Sequence, residues 1–411
     1  MSRSDASSAA RAFPSYDSDR RARTAALAGM IGLAVALGVG RFAFTPLLPL
    51  MLADGAIGLK AGSWLASANY AGYFVGAVSC AALRVAPARM VRFGLAATVL
   101  LTAVMGVGHL LPVWLAVRFV AGVVSAWTFV FVSQWGLRRL AELHAPEWSG
   151  VIYAGPGVGI VLTGLLGSAL AGQRAAWGWL GFAALSAVLS VAIWRTFGGA
   201  AAPRSPAASP HAPDCHASAA AGPRRADAAW LVALYAMPGF GYIITATFLP
   251  VIARAALPAG SPWPDLFWPM FGAALIVGAI AAARLPAHWD NRLLLAGGCV
   301  TQALGIAAGI VWPNAAGFSL GSVLLGLPFT AITLFAMREA RRLHGERAAG
   351  LMGYATASYG VGQIAGPLVA APLVAQSGSF TPVLWIAAAS LVAGAAGFAM
   401  CASRGRRWSP D

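Results

Sequence analysis

Apolar stretches of about twenty residues recur twelve times along this chain, near 24–51, 62–83, 90–110, 113–136, 149–171, 176–196, 229–252, 266–284, 293–312, 316–337, 350–375 and 381–402. Each is long enough to cross a hydrocarbon core of roughly 30 Å as a helix, which needs about 20 residues. Inside a bilayer every backbone N–H and C=O must find a partner within the protein, so repeated long apolar runs can fold only as helices packed side by side. Turn residues interrupt the runs at Asp54-Gly55, Leu111-Pro112, Trp312-Pro313-Asn314 and Ser377-Gly378. Composition agrees: 59% of the 411 residues are hydrophobic and only 10% charged, where a soluble domain carries about 25% charged residues. The fold class expected is an all-α membrane protein of twelve transmembrane helices in two six-helix halves.

The net charge of +15 could suggest a nucleic-acid partner, but the arginines are spread over short loops and form no single basic face. Their distribution reports topology instead. Of the 28 Lys and Arg residues, 23 fall on the side that carries the chain termini. The opposite side holds Lys60, Arg174 and Arg254, and Arg41 and Arg118 lie within apolar segments. The positive-inside rule then places both termini in the cytoplasm of a multi-pass protein of the plasma membrane, a bacterial inner membrane. Residues 1–23 carry Asp5, Asp17 and Asp19 and lack the pattern of a secretory signal, so they are expected to be a disordered cytoplasmic tail. Residues 198–227 are rich in Pro, Ala and Ser and are expected to be a flexible cytoplasmic linker. The linker separates an N-terminal half, 24–197, from a C-terminal half, 228–403, and a second tail covers 404–411.

The halves repeat weakly. Gly40-Arg41, followed by Leu48-Pro49, matches Gly241-Tyr242, followed by Leu249-Pro250, at an offset of 201. Gly157-Val158-Gly159 matches Gly360-Val361-Gly362 at an offset of 203. Parallel repeats joined by a cytoplasmic linker are the organisation of transporters that carry their substrate site between the halves near the midplane. The segments GVGRFAFTPLLPLM (Gly38–Met51) and AGSWLASANYAGYFVGA (Ala61–Ala77) resemble the YbfB/YjiJ-type branch of the major facilitator superfamily, and the resemblance to the superfamily extends over nearly the whole chain. It implies alternating-access transport without a cofactor. Arg118-Phe119 with Gly122 resembles the superfamily's fourth-span motif, whose arginine is linked to substrate or proton coupling. Gly150, Gly155, Pro156 and Gly159 resemble the fifth-span glycine–proline motif associated with exporters. The loop after the second span departs from the family pattern: it keeps Arg84 and Arg89 but lacks the aspartate, whereas the matching loop of the second half has Asp290 and Arg292. These four are the candidate cytoplasmic gate residues.

Arg41 is the main candidate for binding. A permanently charged guanidinium deep in an apolar helix costs at least about 2.5–3.5 kcal/mol, so such residues normally face a cavity. Its alternative role is to cap helix carbonyls, and Arg118 has the further option of snorkelling to the outer headgroups. Asn69 and Tyr73, one helical turn apart, Tyr242 at the position matching Arg41, and Gln363 in a glycine-rich span complete the candidate site, although each could equally make an interhelical hydrogen bond. No Asp or Glu falls within an assigned span; Glu339 and Asp290 are placed in or near loops. Two arginines without an intramembrane acid favour an anionic or zwitterionic small-molecule substrate. Proton coupling is left with His109 or with Arg118 acting through the substrate, and export is preferred over uptake on the fifth-span motif alone. Efflux of amphipathic drug-like compounds is the second transport reading, supported by 15 Trp and 19 Phe. A membrane-embedded enzyme or receptor is disfavoured because no HExxH, carboxylate pair or Ser–His–Asp set stands at membrane depth. The four cysteines and the His211, Cys215, His216 group suggest neither a disulfide framework nor a metal site. Membrane lipid is the other partner expected, and the oligomeric state is left open.

Overall fold

The computed structural model describes residues 16–198, 221–286, 288–345 and 348–406. The described residues form twelve long helical rods: α1 (Ser18–Ala53), α2 (Leu59–Ser79), α3 (Pro87–Val107), α4 (Leu111–Glu142), α5 (Ser149–Ala169), α6 (Ala175–Ile193), α7 (Arg225–Ala256), α8 (Trp263–Ala283), α9 (Asn291–Val311), α10 (Ala315–His344), α11 (Gly350–Ser377) and α12 (Thr381–Arg404). Eleven are long and apolar enough to cross a membrane by length and composition. The exception is α2, whose 21 residues include Lys60, Asn69, Tyr70, Tyr73 and three serines.

Five helices run past their expected limits. Helical backbone begins at Tyr16, so the stretch 16–23 is not the disordered tail expected from its charge, and Asp19 near its start suits the positive end of a helix dipole. The helix of α7 is continuous from Ala221, which takes 221–227 out of the expected linker; 199–220 and 1–15 lie outside the described residues. The last helix continues to Arg406, into the tail expected from 404. At the ends of α4 and α10, alternating Arg and Glu residues pair one turn apart: Arg138 and Arg139 reach Glu142 at 3.1 and 3.0 Å, and Arg342 reaches Glu339 at 2.6 Å. Such i,i+3 and i,i+4 pairs carry a helix beyond its apolar stretch.

Glycines set how closely the rods approach. A Cβ on Gly72 of α2 would sit 1.9 Å from the Phe119 carbonyl oxygen of α4, and one on Gly122 of α4 would sit 2.0 Å from the Asn69 carbonyl oxygen. These two backbones therefore touch, as small-residue interfaces allow in lipid. The sequence repeat reappears as a repeated contact. Gly38 of α1 crosses Gly159 of α5, a Cβ on the first falling 2.3 Å from the second's Cα. In the last six helices Gly239 and Gly362 meet in the same way, a Cβ on Gly362 falling 3.1 Å from the Gly239 carbonyl carbon.

The first six helices meet the last six along α2 with α11 and α5 with α8. A Cβ on Gly157 of α5 would fall 2.8 Å from the Gly272 carbonyl oxygen of α8, and one on Gly360 of α11 would fall 3.1 Å from Phe74 of α2. Hydrogen bonds that join the two groups include those in which Thr45 Oγ1 donates to the Ala246 carbonyl at 3.0 Å, Ser67 Oγ donates to the Ile364 carbonyl at 3.0 Å, and the hydroxyls of Tyr70 and Thr247 pair at 2.9 Å. Thr45 and Ala246 are 201 residues apart, the offset of the sequence repeat, so matched positions of α1 and α7 face each other.

The crossing of Gly38 and Gly159 leaves no room for a methyl group. Gly38→Ala is expected to destabilise the protein by about 1–3 kcal/mol, the usual cost of overpacking, read as a lower thermal midpoint in detergent. Gly297→Ala, where a Cβ meets nothing within 4 Å, is the control and should be neutral or stabilising by up to about 1 kcal/mol.

Candidate functional site

The site is built on a break in α1. Its first part is α-helical through Leu33, Ala34–Val39 is a π-helical turn, and regular helix resumes at Phe44. Gly40 and Phe42 donate five residues back, to the carbonyls of Val35 and Leu37, at 3.0 Å each. Pro46 and Pro49 lie beyond the break and supply no N–H to the preceding turn. Carbonyls freed in this way are tolerated inside a membrane only where neighbouring helices satisfy them. Here α2 and α4 do so. Ser125 donates to the Ala36 carbonyl at 2.7 Å. Asn69 Nδ2 reaches the Gly40 carbonyl at 3.4 Å and the Arg118 carbonyl at 2.9 Å. Arg118 Nη2 donates to the Arg41 carbonyl at 3.2 Å and Nη1 to the Gly40 carbonyl at 3.5 Å.

Arg118 is therefore held inside the bundle, 2% exposed, and does not reach toward a headgroup region. Its guanidinium lies at the negative end of the first segment of α1, where a cation is favoured, with its Cζ 5.0 Å from the Phe44 ring centroid. Asn69 is fully buried and gives its Nδ2 to the same backbone. Both residues hold the break through these donors, while Asn69 Oδ1 and Arg118 Nε are buried without a hydrogen-bond partner.

The break turns Arg41 away from its own helix. Its guanidinium carbon lies 4.1 Å from the Tyr73 ring centroid, 5.2 Å from Tyr70 and 5.3 Å from Phe42. Aromatic faces attract a cation, most strongly where water is excluded. Across the boundary between the two groups of helices, Arg41 Nη2 donates to Gln363 Oε1 of α11 at 2.7 Å. Gln363 Nε2 in turn donates to the Tyr242 hydroxyl of α7. Arg41, Tyr242 and Gln363 are 6%, 0% and 3% exposed, so the chain of contacts is enclosed. Four of the six expected binding residues, Arg41, Tyr73, Tyr242 and Gln363, thus converge on one point, while Arg118 and Asn69 stand behind it. No carboxylate pairs with Arg41 among the described residues, and its Nε is left without a hydrogen-bond partner.

Sequence reasoning undervalued an aromatic wall. Tyr359 stacks on Tyr242 with centroids 5.9 Å apart and packs against Tyr235 at 4.8 Å. Phe329 contacts Tyr242 at 5.0 Å and Phe42 at 6.0 Å, edge to face. Tyr359 stands one helical turn before Gln363, which places both on one face; that spacing was the available signal. Phe42 and Phe329 carried none, because an apolar ring in an apolar helix has no distinguishing pattern.

The glycine–proline segment lies at a second break. Helix α5 is interrupted at Ala154, and Pro156 stands in the first turn of its longer second segment. A Cβ on Gly155 would fall 2.3 Å from the Met30 carbonyl oxygen and one on Gly159 2.4 Å from that of Ala34, so this face packs on α1. Gly150 looks toward Ala283 of α8 at 4.0 Å. His109 is exposed in the turn between α3 and α4, away from Arg41.

The candidate gate residues are not brought together. Arg84 and Arg89 are exposed before and at the start of α3. Asp290 caps α9, accepting from the Arg292 backbone N–H at 2.9 Å, and pairs with the Arg292 guanidinium at 3.0 Å. Glu339, expected near a loop, is buried at 1% exposure within α10. It accepts from Arg342 and from Asn291 and stands 3.9 Å from Arg292. This cluster ties α9 to α10, while Arg292 Nη1 donates to the Cys401 carbonyl of α12 at 2.8 Å. It is a fastening within the last six helices. Burial opposes ionisation of Asp290, but the Arg292 guanidinium and backbone N–H outweigh it and hold the carboxyl below the usual aspartate range.

The profile of the family described as "Uncharacterised MFS-type transporter YbfB" matches residues 33–398. The chain belongs to this family of major facilitator superfamily transporters. It is accordingly a multi-pass membrane transporter and not an enzyme. No curated protein matches its sequence. Among solved structures it is similar to a point mutant of the nucleoside transporter NupG, with a TM-score of 0.68 and 16% identity over 92% of this chain and 99% of that one. At that identity the likeness is one of fold.

The two arginines should separate in stability measurements. Arg118→Leu leaves the Gly40 and Arg41 carbonyls without charged donors and should cost at least about 1.5–3 kcal/mol, the worth of one hydrogen bond to a charged group. Arg41→Met removes a desolvated cation with no anionic partner and should be neutral within about 1 kcal/mol or stabilising, as replacements of buried charges by apolar residues often are. Thermal unfolding without ligand measures both. Because the folded-state pKa of Asp290 is depressed, its contribution is full above the unfolded value of about 3.9 and is lost as pH falls through the folded value. Asp290→Asn should lower the melting temperature at pH 7, and the two proteins should converge as the pH falls below the usual aspartate range.

Proposed function

We propose that this transporter moves a small organic anion or zwitterion by alternating access, with its negative group held by Arg41. The halves 24–197 and 228–403 would rock about the contacts of α2 with α11 and α5 with α8. One observation carries the reading: Arg41 is buried between the two groups of helices with only neutral partners, Gln363 and three aromatic rings. A desolvated guanidinium left without an acid costs several kcal/mol, and an anionic ligand would offset that cost with charge-assisted, bidentate hydrogen bonds.

Arg118 enters as a positioning residue, since both of its Nη groups donate to the Gly40 and Arg41 carbonyls. The membrane is the bacterial inner membrane, with the arginine-rich ends in the cytoplasm, as the 23 basic residues on that side favour. Proton-coupled export is the direction we favour. It rests on the Gly155-Pro156 break, which packs α5 on both α1 and α8 and would let the first half bend as it rocks.

Purified protein in liposomes tests this directly. Uptake of radiolabelled organic acids, driven by an imposed proton gradient, should fall at least tenfold in Arg41→Ala, equivalent to about 1.4 kcal/mol of lost binding. Arg41→Lys should recover only part, because an ammonium cannot form the planar fork. Efflux of a neutral hydrophobic dye is the control. Anion transport at wild-type rate in Arg41→Ala would overturn the role of Arg41, and dye efflux by the wild type without any organic-acid transport would put drug efflux in its place.

A further inference from the structure

Resting on the reading of Arg41 as the anion site, we infer that the substrate's charged group is a single carboxylate, and that the Gln363 carboxamide occupies its place in the empty carrier. A guanidinium offers a carboxylate its side edge, where Nε–H and one Nη2–H point in parallel toward two oxygens. In this structure the Nη2 end of that edge is taken by Gln363 Oε1 at 2.7 Å, and the Nε end has no partner although it is buried. A carboxamide has only one acceptor oxygen. Its other arm is an NH2 group, which cannot serve Nε–H and turns to the Tyr242 hydroxyl instead. A carboxylate has the same planar shape and two acceptor oxygens. Seated in that plane it satisfies Nη2 and Nε together, and the unpaired donor disappears.

The surroundings narrow the class further. Arg118 gives Nη1 and Nη2 to the Gly40 and Arg41 carbonyls and keeps only Nε without a partner, so Arg41 is the cation whose edge meets Gln363 and it matches one negative charge. The rings of Tyr73, Tyr70 and Phe42 lie 4.1–5.3 Å from the guanidinium carbon, and the Tyr70 hydroxyl is engaged by Thr247. These rings suit a flat headgroup. The additional oxygens of a sulfonate or phosphate project out of that plane and would face ring carbon, a costly place for an unpaired charged oxygen. Gln363 is thus both a stand-in and a competitor. It keeps Arg41 partnered when nothing is bound, and it must yield when a carboxylate arrives.

Two arms test the inference. The first needs no ligand: Gln363→Glu places a carboxylate on the Arg41 edge from within, and should raise the melting temperature of detergent-purified protein by several degrees. The gain should vanish in the Gln363→Glu/Arg41→Met double variant. The second arm compares propionate, benzoate, benzenesulfonate, phenyl phosphate and benzamide as stabilising ligands. Propionate and benzoate should stabilise the wild type, should do so at about tenfold lower concentration in Gln363→Ala, and should have no effect on Gln363→Glu. Gln363→Met replaces the alanine variant should the latter fail to fold. A lower melting temperature in Gln363→Glu overturns the inference whether or not any probe binds. Benzenesulfonate or phenyl phosphate stabilising as well as benzoate overturns the carboxylate class and leaves the anion reading standing. Stabilisation by benzamide alone overturns both.

Discussion

Everything at the centre of this protein depends on a short length of α1 that is not a regular helix. Between Ala34 and Ala43 the backbone widens into a π-helical turn and then breaks. A membrane tolerates that only because Ser125, Asn69 and Arg118 supply the donors that the chain has withdrawn from its own carbonyls. The break costs backbone hydrogen bonds and a buried cation. In return Arg41 reaches across the boundary to Gln363 of α11. Glycine makes the arrangement possible: Gly38 lies on Gly159 with no space between, and a Cβ on Gly40 would fall 2.7 Å from Ser125 Oγ.

Two buried arginines therefore have opposite physical roles. Arg118 gives both Nη groups to the carbonyls of the break, leaves only its Nε without a hydrogen-bond partner, and serves as a structural cation at a helix end. Arg41 is only partly used. Its aromatic neighbours and one carboxamide make it tolerable without neutralising it, and that residual imbalance is the property a carrier needs. If the site satisfied itself completely, a ligand would gain little by entering; if it were wholly unpartnered, the empty protein could not close around it. The Gln363 bond from α11 lies between these extremes, and it crosses the boundary along which the halves are proposed to move.

Family membership establishes transport, and the substrate has to be read from the site. The fold alone says little about it, since one architecture hosts many ligands. The solved nucleoside transporter shares the helix arrangement at 16% identity and lends no ligand to this chain. What distinguishes this site is the chemistry around Arg41: one free guanidinium edge, flat aromatic walls, and no carboxylate among its partners.

Much of this was legible in the order of residues. Twelve apolar stretches specify the number of helices, because the bilayer demands length and excludes charge without regard to packing detail. The cost of a buried charge singles out Arg41, and the repeat links it to Tyr242. Span ends were less legible at α4 and α10, where Arg–Glu pairs continue a helix after the apolar signal has ended. Helix α10 thereby buries Glu339 with Asn291 and Arg292, joining residues that sequence reading assigned to separate loops. The division of labour between Arg41 and Arg118 could not be read at all. In sequence they are two similar charges in two similar helices. Only the tertiary structure shows which carbonyls the π-turn releases and which guanidinium stands over them, because those contacts join residues 77 and 78 positions apart. The sequence by itself determined that buried charge must be answered by something. The packing of α2, α4 and α11 around a broken α1 decided that backbone carbonyls answer one arginine and a glutamine the other.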